Sequence, residues 1–261
     1  MKEKIAILGG GNLGASIAEG LMRDNFVSPK NLTVTRRKIE LLDHLKKRGV
    51  QIASDNAKAI IGADTIIIAV KPKQSSELLE QIRNHIKAKQ ILVSVVTGIS
   101  TDIILEIIGR KITVFRVMPN TAIAIGESMS CVSAVNATKA QSNRVAKLFG
   151  NMGKVAQIEE ELMDASTVLG ACGIAFALRF IRAATQGGIE IGFDYQTAEL
   201  IAAQTVKGAA SLVLQRGRHP EREIDLVTTP QGCTIAGLNE MEHQGFSSSL
   251  IKGIVTSFSK I

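Results

Sequence analysis

The chain has 261 residues, of which 45% are hydrophobic and 21% charged, with a formal net charge of +7. This is enough apolar material for one large domain or two ordinary ones. The three cysteines, Cys131, Cys172 and Cys233, are odd in number and scattered, which excludes a disulfide framework and a zinc site; no metal is expected.

The charge is unevenly placed. Residues 161–261 carry 8 Lys/Arg against 10 Asp/Glu, which leaves 23 against 14 in residues 1–160, a net of +9. An anionic ligand in the N-terminal part suits that bias. Nucleic acid does not, because 3% aromatic content, with no Trp and one Tyr, leaves little for bases to stack on. The first residues lack a secretory h-region, so a cytoplasmic protein is expected. The long apolar stretch Leu162 to Ala177 is rich in Gly, Ala, Ser and Thr and is followed by Arg179 and Arg182. It reads as a buried helix and not as a membrane span.

In chain order, the first organising element is Met1 to Ala15. Ile5-Ala6-Ile7-Leu8 suits a buried strand, and Gly9-Gly10-Gly11-Asn12-Leu13-Gly14 then fits G-x-G-x-x-G at Gly9, Gly11 and Gly14. A helical pattern with Leu13, Ile17, Leu21 and Met22 on one side follows. Strand, glycine turn and helix together make the dinucleotide-binding fingerprint, in which the pyrophosphate meets the helix N-terminus. Leu32 to Thr35 reads as the second strand. Where an NAD-binding protein places an acidic residue on the ribose, this chain has Thr35-Arg36-Arg37. Two guanidiniums and a hydroxyl suit a 2′-phosphate, so NADPH is the expected cofactor, with NADH as the alternative. A solvated basic helix start would look similar.

Ser54-Asp55 caps a short turn through Asn56, and Asp64 to Val70 is an apolar strand ending in Lys71-Pro72. A helix over Ser76 to Ile86 and a strand over Ile91 to Val96 repeat the pattern. Ser100 caps the next helix, and Val114 to Val117 is a strand leading to Met118-Pro119-Asn120-Thr121. Met129 to Ala134, a helix from Thr138 and Val155 to Ile158 complete a doubly wound parallel sheet. Strands stop at about Glu160. Beyond it the pattern predicts helices over Leu162 to Ile189, from an Asp194 cap over Thr197 to Gln215, from Pro220 to Val227 and over Phe246 to Phe258. The expected domains are therefore 1–160 and 161–261. So apolar a helical part predicts burial against a second copy, a homodimer.

Between the last two helices lies Val227 to Glu242. Thr229 has the chemistry of an N-cap and Pro230 suits the first helical position. The amides of Gln231, Gly232 and Cys233 are then free to hold a small carboxylate or phosphate, with Thr234 one turn in. A well-capped interface helix fits the same residues. The four histidines, His44, His85, His219 and His243, lack partner spacing and read as surface residues.

The chain resembles the pyrroline-5-carboxylate reductase family nearly end to end. The similarity is carried by the glycine turn, Ala69-Val70-Lys71-Pro72, Arg116 to Thr121 and, most specifically, Thr229 to Thr234. The resemblance implies an N-terminal Rossmann domain, an all-helical dimerisation domain that interlocks in a homodimer, and often larger rings of dimers. It implies NAD(P)H-dependent reduction of a cyclic imine carboxylate to L-proline. By motif, Gly9, Gly11, Asn12 and Leu13 would lie along the pyrophosphate, Arg36 by the 2′-phosphate, and Asn56, Ala69, Val70, Lys71 and Pro72 along the remaining cofactor path. Gly14, Thr35 and Arg37 join the cofactor set from the reading of the glycine turn and the second strand's end. Met118, Asn120, Thr229, Gly232, Cys233 and Thr234 would meet the substrate, with Thr234 on the reacting nitrogen. Thr229 and Gln231 stand where Ser and Gly are usual, and Ala122 and Ser128 where Pro and Gly are frequent. Two rivals are a β-hydroxyacid dehydrogenase, which needs a catalytic lysine for which Lys207 is the candidate before Lys252, and a non-catalytic NADP-binding dimeric relative.

Overall fold

A computed structural model of the chain describes residues 3–261; Met1 and Lys2 of the first predicted stretch lie outside them. The N-terminal part is an alternation of strands and helices: β1 (Ile5–Leu8), α1 (Asn12–Met22), β2 (Leu32–Thr35), α2 (Asp43–Lys47), β3 (Gln51–Ala53), α3 (Asn56–Ala59), β4 (Thr65–Ile68), α4 (Pro72–Ile82), β5 (Ile91–Ser94), α5 (Thr101–Ile108), β6 (Thr113–Met118), β7 (Ser128–Val135), α6 (Lys139–Gly150) and β8 (Gly153–Gln157). The strands form one sheet in the order β3-β2-β1-β4-β5-β6-β7-β8. Successive residues of β1 enter opposite cores: Ile5 and Ile7 join one apolar cluster, Ala6 and Leu8 the other. A strand buried on both faces reads as an uninterrupted apolar run, which is why Ile5-Ala6-Ile7-Leu8 shows no alternation.

In this N-terminal part, three features differ from the sequence expectation. The sheet is not parallel throughout: β7 runs antiparallel to β6, and β8 is parallel to β7. The edge strand β3 was not anticipated. The helix expected over Ser76 to Ile86 begins at Pro72, with Lys71 as the residue before its first turn. Proline fits there because its fixed φ is helical and the missing N–H has no intrahelical acceptor to lose. The expected caps form: Asp55 accepts from the Lys58 N–H, Ser100 from Ile103 and Thr138 from Gln141.

The chain separates into two compact units, one extending to Cys172 and including Ile261, the other Gly173–Lys260. The first closes with α7 (Met163–Ser166) and a π-helical turn, Thr167–Cys172, inside the stretch expected as one regular helix. The second contains α8 (Gly173–Glu190), α9 (Tyr195–Arg216), α10 (Pro220–Leu226), α11 (Cys233–His243) and α12 (Phe246–Phe258). Asp194 caps α9 by accepting from the Thr197 N–H. Within this unit α8 packs on α9, where Gly188 faces Ala198 closely enough that an added Cβ would stand 3.0 Å from the alanine methyl. Phe180 and Phe246 meet edge to face at 6.1 Å.

The helical stretch Glu160–Glu190 is long and apolar enough to cross a membrane by length and composition, and only 11% of its most apolar window is buried within the chain. The buried helix expected there is thus not buried by its own chain. Leu169, Leu178 and Leu200 are 69%, 59% and 70% exposed.

Candidate active site

The C-terminal ends of β1, β2 and β4 open onto a cavity of about 550 Å³ lined by the glycine turn, the start of α4 and the segment after β2. The three glycines of the turn do different work. Gly9 has φ 111°, a backbone that L side chains rarely adopt, and a Cβ on it would stand 2.6 Å from the Ala69 carbonyl oxygen. A Cβ on Gly14 would overlap the Gly9 carbonyl, so this glycine lets α1 pack against the turn. Gly11 faces open space, with no atom within 4 Å of where its Cβ would be. That division is what a turn offering its backbone to a pyrophosphate requires.

The second wall comes from the end of β2. Thr35 Oγ1 accepts from the Gly9 N–H at 3.2 Å and donates to Asn56 Oδ1 at 2.6 Å, while the Thr35 carbonyl accepts from the Gly10 N–H at 2.6 Å. Arg36 donates from Nη1 to the Gly10 carbonyl at 2.8 Å, which holds its guanidinium beside the turn. Arg37 is more exposed and faces Glu77 at 3.9 Å. Lys38 and Lys71 add further positive charge to the lining.

Of the cofactor residues expected from the sequence, Gly9, Gly11, Thr35, Arg36, Arg37, Asn56, Ala69, Val70 and Lys71 line this one cavity. Asn12, Leu13, Gly14 and Pro72 are not among its lining residues: Gly14 is a packing glycine and Pro72 starts α4. Sequence reasoning missed Ser54, Gln74, Glu77 and Gln81, which also line it.

Met118 ends β6, and Asn120 follows it, buried and engaged on both sides of its amide. Its Oδ1 accepts from the Ala122 N–H at 3.1 Å, and its Nδ2 donates to the Gly170 carbonyl, in the π-helical turn, at 3.1 Å. Its backbone N–H donates to Ser128 Oγ at 3.1 Å. Here Asn120 shapes the segment after β6 through its own bonds.

Beneath this segment Arg116 is buried, and its Nη1 donates to Glu160 Oε1 at 2.8 Å. Burial pushes the Glu160 carboxyl up, but hydrogen bonds from Arg116, from the Ser133 hydroxyl at 2.5 Å and from the Thr101 N–H outweigh it and hold the group below its ordinary value. The Cys131 thiol is pushed up by burial, partly offset by a hydrogen bond with Ser166.

The Thr229 to Thr234 stretch lies in the helical unit and corrects one expectation. The residue before the first turn of α11 is Gly232, not Thr229, and Pro230 and Gln231 form a turn ahead of the helix. The Gly232 N–H donates to the Thr229 carbonyl at 3.0 Å, so it is not free for a ligand. The unpaired amides of the first helical turn are those from Cys233 onward. Gly232 packs closely on Thr229: a Cβ there would stand 2.5 Å from the Thr229 hydroxyl, which would have to turn away, and 3.1 Å from the Thr229 carbonyl oxygen. Gln231 adopts φ 58°, a left-handed conformation in a non-glycine residue. Cys233 and Thr234 are exposed within the chain, and the four histidines are exposed as expected.

Comparison with known proteins fits this arrangement. Residues 4–98 match a family described as NADP oxidoreductase coenzyme F420-dependent, and residues 160–261 match pyrroline-5-carboxylate reductase dimerisation. The chain is 44% identical to pyrroline-5-carboxylate reductase 2 of Dictyostelium discoideum, covering 99% of this chain and 92% of that protein. It is 43% identical to pyrroline-5-carboxylate reductase 1 of the same organism over 98% of its own length, and spans about half, 49%, of that relative. The solved structure of a pyrroline-5-carboxylate reductase from Coxiella burnetii superposes with a TM-score of 0.92 at 26% identity, covering 100% of this chain and 97% of that one. With a glycine turn built for a dinucleotide and a near full-length relative at 44% identity, the chain belongs to the pyrroline-5-carboxylate reductase family.

Proposed function

We propose that this chain reduces 1-pyrroline-5-carboxylate to L-proline, the last step of proline biosynthesis, with NADPH as the preferred reductant and NADH as an alternative. The observation that carries the reading is the glycine cradle with Arg36 bonded beside it, in a chain that matches a reductase of that name over nearly its full length. The dinucleotide, when bound, supplies the hydride. The cavity fits such a group: Gly11 leaves the turn open, and Arg36, Arg37, Lys38 and Lys71 supply the positive charge that phosphates need.

The chain's part is to bind, orient and hydrogen-bond. A protonated cyclic imine is already an electrophile, so no side chain has to attack it, and rate enhancement comes from holding the ring in one orientation. The first-turn amides of α11 from Cys233 onward suit the substrate carboxylate. Gly232 and Thr229 keep that end compact, and the Thr234 hydroxyl would bond the ring nitrogen. Met118, at the end of β6, and Asn120, in the segment after it, would also meet the substrate.

The helical unit's exposed apolar face supports a homodimer in which a second copy covers it, with larger rings of dimers as a further step. Arg179 and Arg182 stand exposed within α8, which favours a protein partner over a lipid phase. The three free thiols suit the reducing cytoplasm. The test is oxidation of NADPH, followed by absorbance, on addition of 1-pyrroline-5-carboxylate, with proline identified as product. Saturable turnover is expected; a chain that binds NADPH but never turns over with the imine would be a non-catalytic relative.

A further inference from the structure

Among the residues lining the cofactor cavity, Arg36, Arg37, Lys38 and Lys71 are cationic and Glu77, on α4, is the one carboxylate. Glu77 is tied to the glycine turn by a continuous chain of hydrogen bonds. The Gly9 N–H donates to Thr35 Oγ1, which donates to Asn56 Oδ1; Asn56 Nδ2 donates to Gln81 Oε1 at 3.0 Å; Gln81 Nε2 donates to Glu77 Oε1 at 3.3 Å. The other carboxylate oxygen faces Arg37 Nη2 at 3.9 Å. Glu77 is therefore part of the cavity wall, set against one of the two guanidiniums that follow β2.

We propose that Glu77 sets the preference between a dinucleotide carrying a 2′-phosphate and one with free ribose hydroxyls, an inference that rests on the cofactor reading of this cavity. A 2′-phosphate brings roughly −1.5 to −2 charges. Glu77 repels it and competes with it for Arg37. A ribose hydroxyl is a donor, and an ionised carboxylate is a pure acceptor. The acidic residue that usually accepts from the ribose at the end of the second strand is replaced here by Thr35-Arg36-Arg37, and Glu77 returns an acceptor to the same cavity from the neighbouring helix. The side chains of Arg37 and Glu77 are 80% and 64% exposed, so their pairing is weak enough to part when a phosphate takes the arginine. Arg36, held by the Gly10 carbonyl, serves the phosphate in either case.

The test is calorimetric binding of 2′,5′-ADP and 5′-AMP to the full-length chain, as wild type, Glu77→Gln and Glu77→Ala. The alanine variant separates loss of charge from any new hydrogen bond that the glutamine makes. Both variants should bind 2′,5′-ADP about three- to tenfold more tightly, with the gain shrinking at high salt, and 5′-AMP about threefold more weakly. An unchanged ratio of the two dissociation constants in both variants would overturn the role of Glu77 alone. A wild-type chain that binds neither nucleotide would overturn the cofactor reading together with this inference.

Discussion

The two units of this chain are folded on different terms. In the sheet unit, both faces of β1, β4, β5 and β6 are covered, and two apolar clusters account for most of the buried side chains. In Gly173–Lys260 the buried residues are Thr185, Ala198 and Ala202, while Leu200, Leu214, Ile251 and Val255 stand open to solvent. The first unit buries its apolar residues within itself; the second presents them outward. Hydrophobic stabilisation of roughly 25 cal/mol per Å² is available only where the area is covered. The sheet unit should therefore hold its structure and its cofactor cavity as a single copy, and the helical unit should depend on another.

The largest effect that would break this contrast lies at the glycine turn. Gly14→Ala forces a methyl into the Gly9 carbonyl, and overpacking of that kind costs about 3 kcal/mol. It should lower the melting temperature and abolish nucleotide binding together. Gly11→Ala meets nothing within 4 Å, so its stability should stay within about 1 kcal/mol of wild type. It should nevertheless lose more than about tenfold in affinity for 2′,5′-ADP, each tenfold corresponding to about 1.4 kcal/mol. Equal melting losses in the two variants would mean that Gly11 is a structural glycine like Gly14.

In the helical unit the corresponding probe is Thr234→Val. Losing one hydrogen bond to a charged partner, about 1.5–3 kcal/mol, should lower kcat/KM by about ten- to a hundredfold with the melting temperature unmoved. Normal specific activity in a less stable protein would make Thr234 a packing residue. A smaller effect is expected from Arg36→Ala, which should raise the KM for NADPH about tenfold and leave that for NADH nearly unchanged. An equal rise for both nucleotides would mean that the Arg36–Gly10 bond shapes the turn and does not read the phosphate.

These residues also show what the linear sequence makes legible. The glycine turn could be read because its strand, turn and helix are contiguous. So could the caps, since Asp55, Ser100, Thr138 and Asp194 each act within three residues. The direction of β7 could not, because nothing local distinguishes a parallel from an antiparallel neighbour. β3 escaped because its three residues, Gln51-Ile52-Ala53, form a partly exposed edge with no apolar run. Thr229 and Gly232 both have N-cap chemistry, and the choice between them turns on the left-handed φ of Gln231. Glu77 and Gln81 reach the cavity only through the placement of α4 beside β4, a tertiary fact.

The smallest effect concerns the Arg116–Glu160 pair. The folded carboxyl titrates below its ordinary value of 4.5, so its contribution to stability is fully present above that pH and is lost as the pH falls through the folded value. Glu160→Gln should flatten the fall in melting temperature below pH 4.5 while leaving the neutral-to-basic profile parallel to that of wild type. An unchanged acid limb would show that other carboxylates govern it.

The difference between the two units is tested most directly by the solution mass of the full-length chain, measured by sedimentation equilibrium over a wide dilution range and repeated for Leu200→Asp. The expected mass is twice 27.9 kDa or a multiple of that dimer, falling toward the monomer in Leu200→Asp, with helical signal lost and 2′,5′-ADP still bound. A wild-type monomer at micromolar concentration with all its helices intact would contradict the assignment of the exposed face to a second copy.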